Sequence, residues 1–166
     1  MPLYFAYGSN MSPAQMQRRC PGARAVGAAS LDGWRFIIPA GRGANIVTRP
    51  DGIVHGVLWR LSPENLTRMD AWEGTAVGAD RRRLVAVQCG ARRIAAITYV
   101  SDRRWPGVGR TDYMLTAVLP GARAFDLPAA YQDELAGWLG VRPIGPQRVT
   151  YRGRRKRPVA KRASRR

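Results

Sequence analysis

The most constraining feature of this sequence is a succession of short apolar runs between residues 25 and 61, separated by glycine, proline and aspartate. These runs span residues 25–31, 34–39, 44–48 and 53–61. Runs of this length between turn-forming residues predict β-strands joined by tight turns. A fifth run precedes them at residues 2–7, and two more at 83–88 and 93–100 flank a glycine-containing turn that predicts a hairpin. The chain should therefore contain many short strands.

Three segments carry helix signals. Ser12 and Ser62 each precede a proline, and a serine N-cap followed by proline at the first helical position is a typical helix start. We expect the first of these helices to stop before Pro21 and the second to stop at Gly74. A third helix is predicted over residues 126–138, where large apolar side chains recur at helical spacing. The intervening residues 102–112, rich in glycine, proline and arginine, predict a surface loop.

Composition limits the domain count and the cellular location. A chain of 166 residues, 45% of them apolar, is predicted to form one globular domain over residues 1–150. No stretch approaches the roughly 18 consecutive apolar residues of a membrane span, and the start lacks the basic-then-apolar order of a secretory signal. We therefore expect a cytoplasmic protein with no membrane partner.

The positive charge is concentrated at the C-terminus. The formal net charge is +17, and residues 152–166 hold 9 of the 28 basic residues and no acidic one. Such a segment has almost nothing apolar to bury, so residues 151–166 are predicted to be a basic, disordered tail. Arginine-rich tails bind phosphate groups through counterion release, which makes non-specific nucleic-acid binding a possible property of this segment.

Cysteine and histidine are too scarce for several kinds of site. Cys20 and Cys89 are too few for a disulfide framework, and neither lies at a metal-ligand spacing. His55 is the only histidine, and we interpret it as structural because it lies in a strand-like run. A histidine-rich zinc site is excluded, and the sequence predicts neither a metal nor a cofactor.

The turn after the first apolar run is a candidate binding site. Gly8, Ser9 and Asn10 connect a predicted buried strand to the helix that starts at Ser12. Such a junction presents backbone N–H groups at the positive end of a helix dipole, where a carboxylate or phosphate can bind. The alternative is a turn with no binding role, and the residues alone leave the two interpretations open.

Two acidic residues mark the end of the second predicted helix. Asp70 and Glu73 are one helical turn apart, so they can lie on the same face. Glu73 is next to the negative end of the helix dipole and beside Trp72, and both features should raise the pKa of its carboxyl group. A carboxylate made more basic in this way suits a general base. The spacing alone favours the simpler alternative, an exposed acid at a helix end.

These two motifs together resemble a known family. The sequence YFAYGSNM at residues 4–11, followed by the segment 66–74 with its D-x-x-E-G pattern, is similar to the γ-glutamylcyclotransferase-like family, which includes relatives that act on γ-glutamylamines. The resemblance continues through Tyr99, Tyr113 and residues 127–131 in the same order. It covers roughly residues 3 to 139.

The resemblance implies a fold and an activity. The implied fold is of the α+β class, a small, mostly antiparallel β-barrel with surrounding helices. The implied activity is cyclisation of a γ-glutamyl group to 5-oxoproline, with release of an amine or amino acid and without a cofactor. Glu73 matches the family's catalytic glutamate, the general acid and base of this reaction. The residues that the resemblance assigns to substrate binding are Tyr7, Gly8, Ser9, Asn10, Tyr99 and Tyr113.

One position departs from the family pattern. Family members commonly have a tyrosine a few residues after the E-G pair, where this chain has Asp80 followed by three arginines. An acid and three arginines would alter the charge presented to a substrate. The alternative hypothesis is therefore a non-catalytic binding module of the same fold, with the basic tail as its nucleic-acid-binding segment. The oligomeric state is not predicted.

Overall fold

The computed structural model describes residues 1–40, 43–107 and 111–139. Its centre is a closed five-stranded barrel in the order β1-β3-β2-β4-β5. The strands are β1 (Leu3–Ala6), β2 (Arg24–Ile37), β3 (Asn45–Arg60), β4 (Arg81–Cys89) and β5 (Arg92–Val100). Four of the five strand pairs are antiparallel, and β1 closes the barrel by pairing with β5 in parallel. Helices surround the barrel, which confirms the α+β class and the antiparallel barrel.

The four short strands predicted between residues 25 and 61 are two long ones. β2 and β3 pair from Arg24 opposite Arg60 to Ile37 opposite Asn45. Gly27 and Gly33 have positive φ angles, and the register shifts at both positions. Both glycines are therefore at bulges inside one continuous strand. Gly27 was expected within a strand, whereas the prediction that the segment around Gly33 separates two strands was wrong.

The two serine-proline signals are confirmed as helix starts. α1 (Pro13–Arg19) begins after Ser12, whose hydroxyl accepts the backbone N–H of Gln15 at 3.4 Å. α2 (Pro63–Glu73) begins after Ser62, whose hydroxyl accepts the N–H of Asn65 at 3.1 Å. α2 ends at Gly74, which has the left-handed conformation typical of a helix C-terminus. The predicted hairpin is also confirmed as β4 and β5.

The C-terminal part of the described chain is helical. Its helices are α3 (Thr111–Tyr113), α4 (Leu119–Ala124) and α5 (Ala129–Ala136), with a π-helical segment (Met114–Val118) joining the first two. α3 begins within the segment predicted as a loop, and residues 108–110 lie outside the described part. α5 starts three residues later than predicted, and its Tyr131 and Leu135 are buried in the core as their spacing indicates.

Some predictions concern the whole chain, and the structure bears on them only over the described residues. Within residues 1–40, 43–107 and 111–139, no helix is both long and apolar enough to cross a membrane. Cys20 and Cys89 are both free thiols. The domain boundary at residue 150 and the basic tail 151–166 lie outside the described residues.

Candidate active site

A cavity of about 270 Å³ opens where the end of β1, the start of β3, the end of β5 and the end of α2 meet. It brings together residues that are far apart in the sequence, including the turn after β1, the α2 terminus and α3. Six of the seven predicted site residues line it, namely Tyr7, Gly8, Ser9, Glu73, Tyr99 and Tyr113. This arrangement makes the cavity the candidate active site.

Backbone N–H groups converge on one point of the cavity wall. The N–H of Ser9 and the N–H of Ala44 both donate to the phenolic oxygen of Tyr113, each at 3.1 Å. Gly8 allows this approach, because a Cβ atom at its position would lie 2.9 Å from both the Tyr113 hydroxyl and the Ala44 Cβ. The turn and the residue before β3 therefore each offer one donor to a single oxygen atom, as an oxyanion or carboxylate site does.

Glu73 is the last residue of α2 and is half-buried at the cavity wall. The amide of Asn10 donates to its Oε1 atom at 3.2 Å. Burial and the neighbouring carboxyl of Asp80 raise the pKa of Glu73 to about 7, and Arg19 and Asn10 partly oppose this rise. A carboxyl group that titrates near neutral pH can both accept and return a proton under physiological conditions.

The raised pKa of Glu73 was expected from the sequence, but the structure gives it other causes. Trp72, which was expected to shield Glu73, is 61% exposed and lies beneath the guanidinium of Arg19, 4.0 Å from its ring centre. Burial in the cavity wall and the proximity of Asp80 account for the shift instead. Neither cause was visible in the local sequence around residue 73.

Asn10 was predicted to contact substrate, and the structure places it behind the cavity instead. Its side chain is buried and absent from the cavity lining. The amide nitrogen donates to Tyr4, at 2.9 Å, as well as to Glu73. The amide oxygen accepts a guanidinium N–H of Arg19 at 2.5 Å. These bonds hold two cavity side chains, Glu73 and Arg19, in place, and contact between Asn10 and a substrate stays a prediction.

Asp70, one turn before Glu73, lies in a different environment. Its carboxylate accepts a hydrogen bond from the hydroxyl of Tyr99 at 2.8 Å and pairs with two nitrogen atoms of Arg82, Nε and Nη2. Partial burial alone would raise the pKa of Asp70, but these hydrogen bonds outweigh that effect and lower the pKa below its usual value. The pKa values of these two acids, one helical turn apart, are therefore shifted in opposite directions, and Asp70 fixes the orientation of Tyr99 as an ionised partner.

The sequence interpretation missed one charged residue of the site. Arg19, at the end of α1, contributes the only basic side chain among the described residues that line the cavity. The sequence carries no strong signal for it, because an arginine in a last helical turn is ordinary. Of the three arginines after Asp80, Arg81 pairs with Asp102 and Arg82 with Asp70, so both are already engaged by acids.

His55 does not line the cavity. It lies on β3, where its ring packs 4.9 Å from the ring of Tyr131, and burial lowers its pKa. The structural role expected for it agrees with this position. Among the residues that the structure describes, no three histidine, cysteine, aspartate or glutamate side chains cluster as metal ligands would.

Comparisons with known proteins agree with this geometry. The sequence model of the AIG2-like family matches residues 53–135, half of the chain. The chain is 27% identical over 143 residues to gamma-glutamylcyclotransferase of Bos taurus and 28% identical over 145 residues to that of Homo sapiens. Each of these alignments covers 80% of this chain and 76% of the relative.

A solved structure also matches the fold. It is named gamma-glutamyl cyclotransferase, and it superimposes with a TM-score of 0.76 at 25% sequence identity. The superposition covers 88% of this chain and 90% of the other. The barrel and its surrounding helices are thus those of a γ-glutamylcyclotransferase fold, and the chain belongs to the AIG2-like family.

Proposed function

We propose that this protein cyclises the γ-glutamyl group of a small molecule to 5-oxoproline and releases an amine or an amino acid, with Glu73 as general acid and base. The observation that carries the proposal is the carboxyl of Glu73, with a pKa of about 7, at the wall of a cavity that also presents backbone N–H donors. The relatives named gamma-glutamylcyclotransferase support the same activity.

The chemistry needs few protein groups because the substrate supplies its own nucleophile. The α-amine of the glutamyl group attacks the γ-carbonyl carbon, and a five-membered ring forms as the bond to the leaving nitrogen breaks. Intramolecular attack of this kind gains a large advantage when the substrate is held in its folded conformation. The protein therefore has to fold the substrate, move two protons away from the attacking nitrogen and stabilise the developing oxyanion.

Glu73 moves both protons. Its ionised carboxylate takes one proton from the α-ammonium, which frees the amine to attack, and its protonated form delivers that proton to the leaving nitrogen. The carboxylate then takes the second proton from the ring nitrogen, which leaves the lactam N–H, and passes it to the released amine. The other charged groups of the substrate have complementary partners in the cavity. Arg19 suits the α-carboxylate, because a guanidinium pairs well with a carboxylate. The N–H groups of Ser9 and Ala44 suit a substrate oxygen that takes the place of the Tyr113 hydroxyl.

A substrate panel tests the proposal. We expect the purified protein to form 5-oxoproline from at least one member of a set of γ-glutamyl amino acids and γ-glutamylamines, detected by mass spectrometry. Comparison of acidic, neutral and cationic leaving groups identifies the leaving group, because all members share the γ-glutamyl end. Absence of product from every compound, with a folded protein, would count against the proposal.

A second candidate function rests on the charge of the tail. Residues 152–166 carry nine basic residues and no acid, so we propose that this segment binds RNA or DNA non-specifically through phosphate contacts. We expect that removing residues 152–166 abolishes retention of labelled nucleic acid but leaves 5-oxoproline formation unchanged, because the cavity is built within residues 4–113. Binding should also weaken steeply as salt increases.

Two results of the truncation would contradict this second proposal. Persistence of nucleic-acid binding in the shortened protein would place the binding surface on the domain rather than on the tail. Loss of both binding and cyclisation, with the shortened protein still folded, would contradict the separation of the two properties along the chain.

A further inference from the structure

A second carboxyl group lies beside Glu73. The chain leaves α2 at Gly74, passes through a single helical turn (Thr75–Val77) and bends again at Gly78, and both glycines have positive φ angles. The N–H of Ala79 returns to the carbonyl of Gly74 at 3.0 Å, which closes the loop. Closure brings Asp80 back to the cavity wall, where its carboxyl lies within hydrogen-bonding reach of Glu73.

The charged and titratable groups around this pair come from several elements. α1 supplies Arg19, β1 and the residue after it supply Tyr4 and Tyr7, and β5 supplies Tyr99. Asp70 is already bound to Arg82 and Tyr99, so it does not compete for Arg19. Among the described residues that line the cavity, Arg19 is therefore the one guanidinium, and it acts on Glu73.

Two adjacent carboxyl groups in a partly buried site do not both ionise readily. Each negative charge opposes the other, and a proton retained between them forms a hydrogen bond that relieves the repulsion. A single nearby arginine can balance only one of the two charges. The arrangement therefore favours retention of a proton by Glu73, in agreement with its raised pKa of about 7.

We propose that Asp80 is a positioning residue that forms a proton-sharing pair with Glu73. This inference rests on the proposed cyclisation. The ionised Glu73 takes one proton from the substrate's α-ammonium, and the resulting Glu73 O–H donates a hydrogen bond to the carboxyl group of Asp80. The α-amine forms the new C–N bond, the bond to the leaving nitrogen breaks, and the proton passes from Glu73 to that nitrogen. Glu73, ionised again, takes the second proton that the ring nitrogen must lose to become the lactam N–H, and passes it to the released amine, which leaves as an ammonium ion. Asp80 accepts the hydrogen bond from Glu73 whenever Glu73 is protonated and so holds the proton donor in a fixed orientation.

The pair can be tested in the free protein, independently of any activity. The chain has only three glutamates, Glu64, Glu73 and Glu134, and the first and last are exposed. Protein labelled at the glutamate side-chain carboxyl carbon should thus give three NMR signals, and the Glu73→Gln variant assigns one by its loss. We expect that signal to titrate near pH 7 in the wild-type protein.

Asp80→Asn removes the neighbouring charge while it preserves shape. We expect the Glu73 midpoint to fall by about one pH unit or more in this variant, and to stay raised in Asp80→Glu, which keeps the carboxyl. Asp133→Asn is the matched control, because Asp133 is exposed on α5 and does not line the cavity. An unchanged Glu73 midpoint in Asp80→Asn would overturn the proposal.

Kinetics add a second readout. In Asp80→Asn, the acidic limb of the pH profile of kcat/KM for 5-oxoproline formation should move to lower pH together with the Glu73 midpoint. About five times more of Glu73 should then be ionised at pH 6 than in the wild-type protein. The plateau of kcat should fall by about fivefold, because an amide oxygen is a weaker acceptor than a carboxylate. A limb that stays in place while the NMR midpoint moves would contradict the role of the pair in catalysis. If the wild-type protein forms no 5-oxoproline, the proposed function fails, and the NMR titration still decides whether the pair exists.

Discussion

Replacing Glu73 with glutamine is expected to lower the rate of 5-oxoproline formation by about two to four orders of magnitude, the usual contribution of a general acid or base. Glutamine keeps the size of the side chain and can still accept the hydrogen bond from Asn10 that Oε1 accepts at 3.2 Å. It cannot take a proton from the α-ammonium or return one to the leaving nitrogen. The fall should appear in kcat, because the proton moves in the chemical step.

Glu64→Gln is the matched control for this variant. Glu64 lies in the first turn of the same helix and is exposed, so the same chemical change there should leave turnover unaltered. Turnover by Glu73→Gln within a few-fold of the wild-type rate would remove Glu73 from the mechanism.

The Glu73→Gln substitution should raise the stability of the folded protein above pH 7, although it lowers the activity. The pKa of Glu73 is raised to about 7 in the folded protein, so between its usual value and 7 the folded state binds more protons than the unfolded state. Stability contributed by the protonated carboxyl is fully present below the usual pKa and is lost as the pH rises to about 7. Glu73→Gln has no such loss, so its melting temperature should exceed that of the wild-type protein at pH 8 and approach it at pH 5.

Replacing Asn10 with alanine is expected to impair both stability and activity. The buried amide serves Tyr4, Glu73 and Arg19 together, so its removal leaves several polar groups without a partner. Loss of buried hydrogen bonds costs about 1–3 kcal/mol for each group left unsatisfied. We expect a melting temperature lower by several degrees, and a kcat lower by about tenfold to a hundredfold because Glu73 is no longer held in its orientation.

Gln15→Ala controls for the loss of a hydrogen bond in the same network. Gln15 donates to the amide oxygen of Asn10 at 3.4 Å, but it is only half-buried, so its removal should cost little. If Asn10→Ala kept both the melting temperature and the kcat of the wild-type protein, the role of Asn10 as the residue that holds the base would be wrong.

The parts of the fold that depend on local signals could be predicted from the sequence. Ser12 and Ser62 cap helices because their hydroxyls reach backbone N–H groups only three residues away. The closure of the barrel could not be predicted in this way, because Tyr4 pairs with Ile97 across more than ninety residues. Gly33 was misinterpreted as a break between strands for a similar reason, since a glycine bulge and a glycine turn differ only in what the partner strand does.

In the candidate site, too, the residues in local motifs could be predicted and those brought in by tertiary packing could not. The turn at Gly8 and the acid at Glu73 were identified because each belongs to a short motif of neighbouring residues in the sequence. Arg19 and the approach of Asp80 to Glu73 depend on how α1 and the loop after α2 fold against the barrel. Asn10 was assigned to substrate because of its place in the turn, and only the packing of α2 shows that its side chain points towards Glu73.

The central claim is that the substrate's own amine, and not water, attacks the γ-carbonyl. The most direct measurement is the reaction of the best γ-glutamyl compound in water enriched in heavy oxygen, with the products analysed by mass spectrometry. The account predicts 5-oxoproline without heavy oxygen, released in equal amount with the free amine or amino acid. Free glutamate carrying heavy oxygen in its side-chain carboxyl group would show that water is the nucleophile and would contradict the account.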